Sequence, residues 1–180
     1  MITLTTGVTY AGSSLVCAGA GAVYDVSSHR IPNFLTLPAI VFGLVLHLML
    51  GGWRQLLSAA AAGLLCGLIF LLFYLVGGMG AGDVKLITAL GCISGLSLVG
   101  PLLFWTSLSG GVMALAFAMR RRRLKETVHN VISLVAHHST QGVSQHPSLN
   151  LANPYSLRMP YALAIGTGSA LTLCLLLVKG

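Results

Sequence analysis

Gly77-Gly78-Met79-Gly80-Ala81-Gly82-Asp83-Val84-Lys85 divides two apolar runs, about 55–76 before it and 84–97 after it. Four glycines in six residues end the first run and allow backbone to come close to a neighbour. Irregular backbone at membrane depth is tolerated only where it is buried in protein or lines a wet cavity. Asp83 is one of three acidic residues in 180, the others being Asp25 and Glu126. An ionisable group at the edge of an apolar segment is costly and marks a functional position. Its place just before the second run also suits it to cap the next helix through free N–H groups.

The bulk composition agrees with a membrane setting. The chain is 56% hydrophobic and 7% charged, with mean hydropathy +0.89, whereas a soluble domain is about 25% charged. A soluble globule is excluded, and one membrane domain over 1–180 is expected, with no second core. The net charge of +7 reads as cytosolic loop charge and not as a nucleic-acid footprint. Cys17, Cys66, Cys92 and Cys174 each lie in an apolar run, without a C-x-x-C pair, and read as packing residues. Residues Met1 to Thr6 hold no Lys or Arg, so the first apolar run is expected to be retained rather than cleaved as a signal peptide.

The expected fold is an all-α bundle of about six transmembrane helices, near 5–24, 34–50, 55–76, 84–97, 99–119 and 159–178. Small residues dominate the first, which suits helix–helix contact. Gly63-x-x-x-Gly67 and Gly91-x-x-x-Gly95 read as packing within the bundle and leave the oligomeric state open. The break between the fourth and fifth helices is placed near Gly100-Pro101. Arg30, Lys85, Arg120, Arg121, Arg122, Arg123, Lys125 and Arg158, eight of the ten basic residues, share one side; Arg54 and Lys179 take the other. The positive-inside rule makes the first side cytosolic and puts both termini outside. Asp25 and Asp83 then meet at the cytosolic face.

A polar segment over about 120–158 separates the last two helices. Leu124, Val128, Val131, Ile132 and Val135 recur at helical spacing, which predicts an amphipathic helix on the cytosolic interface, followed by a loop from Ser139 to Pro154. His129, His137, His138 and His146 could ligate a metal, but no Cys or carboxylate supports them. They are read as no metal site, and no cofactor is expected. His47 reads as a hydrogen-bonded packing residue.

The first aspartate leads Asp25-Val26-Ser27-Ser28-His29-Arg30-Ile31-Pro32-Asn33. Pro32 disfavours helix at Ile31, so the backbone is expected to run extended there before the second helix. Asp25 is thereby held at the membrane surface on a short tether. Two facing carboxylates have a specific use. Like charges a few ångströms apart share one proton. The ionised member takes a proton from water while the protonated member donates to an amide carbonyl. Such a pair cleaves a peptide without metal or covalent intermediate.

Asp25 with Arg30-Ile31-Pro32-Asn33, followed by Gly80-Ala81-Gly82-Asp83-Val84-Lys85, resembles the type IV prepilin peptidases, which are GxGD membrane aspartyl proteases. Met159-Pro160-Tyr161-Ala162-Leu163-Ala164-Ile165 resembles the start of that family's last helix. The resemblance implies Asp25 and Asp83 as the catalytic pair. It implies Gly80, Gly82 and Lys85 as the active-site loop, with Arg30, Ile31, Pro32 and Asn33 as structural neighbours. It implies a prepilin or pseudopilin precursor as substrate, cut in the cytoplasmic membrane of a bacterium or archaeon, after a short basic leader and before an apolar helix. The insert with paired C-x-x-C zinc ligands found in long members is not seen, so the chain resembles the short class serving Flp-type (tight-adherence) pili, and peptidase activity without N-methylation is expected. The alternatives are a proton-coupled transporter, a non-catalytic pilus or secretion scaffold, and a related GxGD protease such as a preflagellin peptidase. A presenilin-like protease fits less well, because Leu37-Pro38-Ala39-Ile40 stands in the wrong place for its Pro-Ala-Leu element.

Overall fold

The computed structural model describes residues 4–28, 31–122, 124–125, 129–130, 132–133 and 161–179. Among them there are helices and no strands: α1 (Leu4–Ser28), α2 (Asn33–Leu75), α3 (Ala81–Ser94), α4 (Leu96–Arg120) and α5 (Tyr161–Lys179). Three stretches are long and apolar enough to cross a membrane: Asn33–Leu75, Leu96–Arg120 and Tyr161–Val178.

Two of the expected segments lie in the single element α2. Its 43 residues would measure about 65 Å as a straight helix, twice the thickness of a hydrocarbon core. The helix does not run straight. Gly52 takes φ 69°, ψ −165°, a conformation open mainly to glycine, and divides α2 into rods 33–51 and 53–75. The break expected at Gly100-Pro101 falls instead at Gly95, where φ is 68°. Pro101 is accommodated inside α4, close to its start, where a missing N–H removes only one ladder bond. α1 continues past its expected end at residue 24. The hydroxyls of Ser27 and Ser28 donate back to the carbonyls of Val23 and Tyr24 and keep the last turn helical. The amphipathic helix expected from Leu124 to Val135 and the loop from Ser139 to Pro154 lie largely or wholly outside the described residues.

α3 is the centre of the packing. Nine of its 14 residues are buried, against both rods of α2 and against α1. In lipid the apolar transfer term between helices vanishes, so association rests on close contact. Small residues provide it here. A Cβ on Gly43 would come within 2.8 Å of the Cys92 backbone, and one on Gly91 within 2.8 Å of the Ala62 carbonyl. Gly63 and Gly67 face Cys92 and Thr88 in the same way. The Gly-x-x-x-Gly spacings therefore do pack within the bundle. Leu86, Ile87, Leu90 and Ile93 fill the core beside them, and Cys17, Cys66 and Cys92 are free and buried.

The far end of α3 stops inside the protein, where free carbonyls need partners. Gly95 N–H donates to Gly91 O at 2.9 Å. His47 Nε2 donates to Ile93 O at 3.0 Å. The His47 ring is 0% exposed and stacks on Tyr10, with centroids 3.9 Å apart. Leu96 N–H donates to Ser58 Oγ at 3.3 Å, and Ser94 Oγ to Ser14 Oγ at 3.3 Å. His47 is thus the hydrogen-bonded packing residue its sequence position led one to expect.

Candidate active site

Asp25 lies in the last turn of α1 and Asp83 in the first turn of α3. The two helices meet one turn away from both carboxylates. Gly21, four residues before Asp25, faces Leu86, three residues after Asp83; a Cβ on Gly21 would stand 2.7 Å from Leu86 Cδ2. Residues three or four apart share a helix face, so this contact puts both carboxylates on one seam. Neither carboxylate is fully satisfied. Asp25 Oδ2 and Asp83 Oδ1 are both buried without a hydrogen-bond partner. Asp83 is only 8% exposed. It lies within electrostatic reach of Asp25.

The glycines of the loop have separate tasks. Gly77 turns the chain out of α2 with φ 78°. Gly80 takes φ −81°, ψ 149° and is itself the N-cap of α3. Its carbonyl accepts from the N–H groups of Asp83 and Val84 at 3.2 and 3.4 Å. Asp83 is therefore inside the helix at its third position, and its carboxylate takes a backbone hydrogen bond from Gly80. This corrects the expectation that Asp83 is the capping residue: Gly80 holds that place, and Asp83 Oδ1 is left unpartnered. A Cβ on Gly80 would sit 3.2 Å from Asp83 Oδ2. One on Gly82 would sit 3.2 Å from Ile31 Cβ.

The second motif docks on the first through that contact. Ile31 is buried in the core beside Leu86. Pro32 is extended at φ −74°, ψ 147° and is the N-cap of α2, and Ile31 before it lies outside any helix, as a residue preceding proline is expected to. Asn33 Oδ1 accepts from Lys85 Nζ at 2.9 Å. Lys85 thus ties the start of α3 to the start of α2. Tyr24 and Phe34 meet edge to face at 5.7 Å beside Asp25. Arg30, His137, His138 and His146 lie outside the described residues.

Tyr161, the first residue of α5, was quoted above only as part of a motif. It stands within electrostatic reach of Asp83 and opens onto a groove that Met79 also lines. Gly21 was not singled out at all. Its only signal was its place in a stretch of small residues.

The pattern of the type IV leader peptidase family matches residues 13–115, a span that holds both aspartates and the glycine-rich turn before Asp83. The chain belongs to the type IV leader peptidase family. Within it, the prepilin leader peptidase/N-methyltransferase of Neisseria gonorrhoeae is similar at 40% identity over 107 residues. That match covers 55% of this chain and 37% of the relative, so the chain spans well under half of that protein's length. No solved structure matches. The matched span covers α1 from its middle, all of α2 and α3, and most of α4.

Proposed function

We propose that this protein is a membrane aspartic endopeptidase that removes short leaders from prepilin-like precursors. The observation that carries the reading is the pair of buried, unpartnered oxygens on Asp25 and Asp83, on adjoining helices and electrically coupled. A shared proton and a water molecule would satisfy both. Asp83, the more deeply buried of the two, acts as the acid, and Asp25 as the base. Asp25 takes a proton from water as the water oxygen bonds to the scissile carbon, and Asp83 gives its proton to the carbonyl oxygen. In the second half Asp25 passes its proton to the amide nitrogen, the C–N bond breaks, and Asp83 recovers a proton from the diol. The products are a carboxylic acid and an amine, and the pair is reset.

The topology belongs to the same proposal. Rods 33–51 and 53–75 each have the length of one crossing. With α1, α3, α4 and α5 they make six passes in the cytoplasmic membrane. The basic residues put the seam, with Lys85 beside it, at the cytosolic face, and the termini outside. The resemblance to the short class supports Flp-type precursors as substrate and peptidase activity without methyl transfer.

The test is co-expression with a candidate precursor, read by mobility shift and N-terminal sequencing, for wild type, Asp25→Asn and Asp83→Asn. Cleavage by wild type alone supports the pair. Equal cleavage by all three removes the aspartates from the chemistry and favours a scaffold or transporter. Incubating the cleaved product with a labelled methyl donor tests the absence of N-methylation.

A further inference from the structure

The start of α5 is fixed beside the carboxylate seam. Ala162 and Ile165 are buried in the same core cluster as Ile31 and Leu86, which meet Gly82 and Gly21 on either side of Asp83. Tyr161, Ala164 and Ile165 stand three or four positions apart, on one helix face. All three line a groove that Gly78 and Met79 also line. Tyr161, the first residue of α5, is the end of that face. Met79 is joined to Gly80, where a Cβ would stand 3.2 Å from Asp83 Oδ2. The phenol of Tyr161 is within electrostatic reach of Asp83. Tyr161 is only part-buried, and the groove beside it gives the ring room to turn.

The seam is short of donors. Asp83 Oδ1 is buried without a partner. Lys85 Nζ is held by Asn33 Oδ1 at 2.9 Å, and the hydroxyls of Ser27 and Ser28 donate to the carbonyls of Val23 and Tyr24. A phenol supplies one O–H donor. In the proposed reaction Asp83 begins neutral and becomes charged as it gives its proton to the scissile carbonyl. A hydrogen bond to an ionised acceptor is about twice as strong as one between neutral groups. A donor to Oδ1 therefore gains strength along the reaction, and interactions of that kind raise kcat. We propose that Tyr161 is a positioning residue for the cleavage: its hydroxyl swings onto Asp83 Oδ1, aims the carboxyl at the scissile carbonyl and steadies the charge left when the proton has gone. Tyr161 keeps its own proton throughout. This rests on the peptidase reading and adds a third side chain to the pair.

The test uses the full chain in lipid nanodiscs and the precursor that wild type cleaves in the co-expression assay, with kcat and KM measured separately. Tyr161→Phe keeps the ring and removes only the donor. Its kcat should fall about ten- to hundredfold, the worth of a hydrogen bond to a charged group. KM should change by less than about twofold, and Tm should stay where it is. A chain with 3-fluorotyrosine at position 161, whose more acidic phenol is a stronger donor, should keep kcat at or above that of wild type. A ring that serves only as packing would make neither change felt. A kcat within about twofold of wild type in Tyr161→Phe overturns the proposal, as does a loss carried entirely by KM. A 3-fluorotyrosine chain as slow as Tyr161→Phe overturns it too. The two readings fail separately. If Asp83→Asn is inactive while Tyr161→Phe cleaves like wild type, this proposal alone falls; if Asp83→Asn cleaves like wild type, both fall together.

Discussion

Asp83→Asn should make this protein more stable and inactive. Asp25 Oδ2 and Asp83 Oδ1 are both buried without a hydrogen-bond partner, and Asp83 is only 8% exposed. A buried acceptor left unpartnered costs about 1–3 kcal/mol, and a buried charge costs more unless it is paired. Asparagine has nearly the same shape and no charge to desolvate, and its amide can donate across the seam to Asp25. The variant should therefore exceed wild type by about 1–3 kcal/mol, on the order of 5 °C in Tm. Thermal unfolding of both proteins in the same lipid nanodiscs reads the difference directly. An equal or lower Tm for the variant would refute the claim that Asp83 is held buried and unsatisfied beside a second carboxylate. Confirmation would mean that the site is held at a cost to stability, as expected where function selects the residue.

Other consequences are open to measurement. Asp25→Asn and Asp83→Asn should each lower kcat/KM by at least about 100-fold, the usual worth of a positioned acid or base; a variant that kept more than roughly a tenth of wild-type kcat/KM would contradict that role. Gly82→Val would drive methyl groups into Ile31, which a bare Cβ already approaches to 3.2 Å; cleavage should fall at least about tenfold, with a stability cost of about 1–3 kcal/mol, measured on protein that remains in the membrane fraction. His47→Ala removes a ring stacked on Tyr10 and orphans the Ile93 carbonyl; unfolding should become easier by about 3 kcal/mol or more, and His47→Gln, which keeps a donor, should recover part of it. Lys85→Met and Asn33→Ala break one 2.9 Å bond from either side; their effects on stability should be non-additive by about 0.5–1 kcal/mol in a double-mutant cycle.

That the two aspartates lie on one seam was legible because charged groups have little other reason to stand at these two helix ends. Two aspartates in an almost uncharged chain, one beside Ile31-Pro32-Asn33 and one in a glycine-rich turn, have few bland explanations together. The packing role of Gly63, Gly67 and Gly91 was legible for a similar reason, since small residues at a spacing of four make one helix face. What escaped the sequence were positions decided by three-dimensional contact. Gly80 and Asp83 are both good N-caps, and only the backbone at Gly80 decides between them. The α3–α4 break fell at Gly95 because His47 and Ser58 can satisfy the groups freed there, and those partners lie 48 and 37 residues away in the chain. Gly21 and Tyr161 act through neighbours on other helices, so neither carries a local signal.

α3 is fastened at both ends by side chains from α2, through Asn33 to Lys85 at one end and through His47 to Ile93 at the other. Ten residues separate Ile93 from Asp83, about 15 Å along the axis. The helix cannot slide along its own length without breaking one of these fastenings. In the proposed topology its axial position fixes how far Asp83 is sunk beneath the headgroups, and hence how readily water reaches it. In the proposed peptidase the depth of the Asp83 carboxylate is then set in part by an imidazole some 15 Å away along the helix, so substitutions around His47 should retune cleavage by moving that carboxylate vertically while leaving every group near it unchanged.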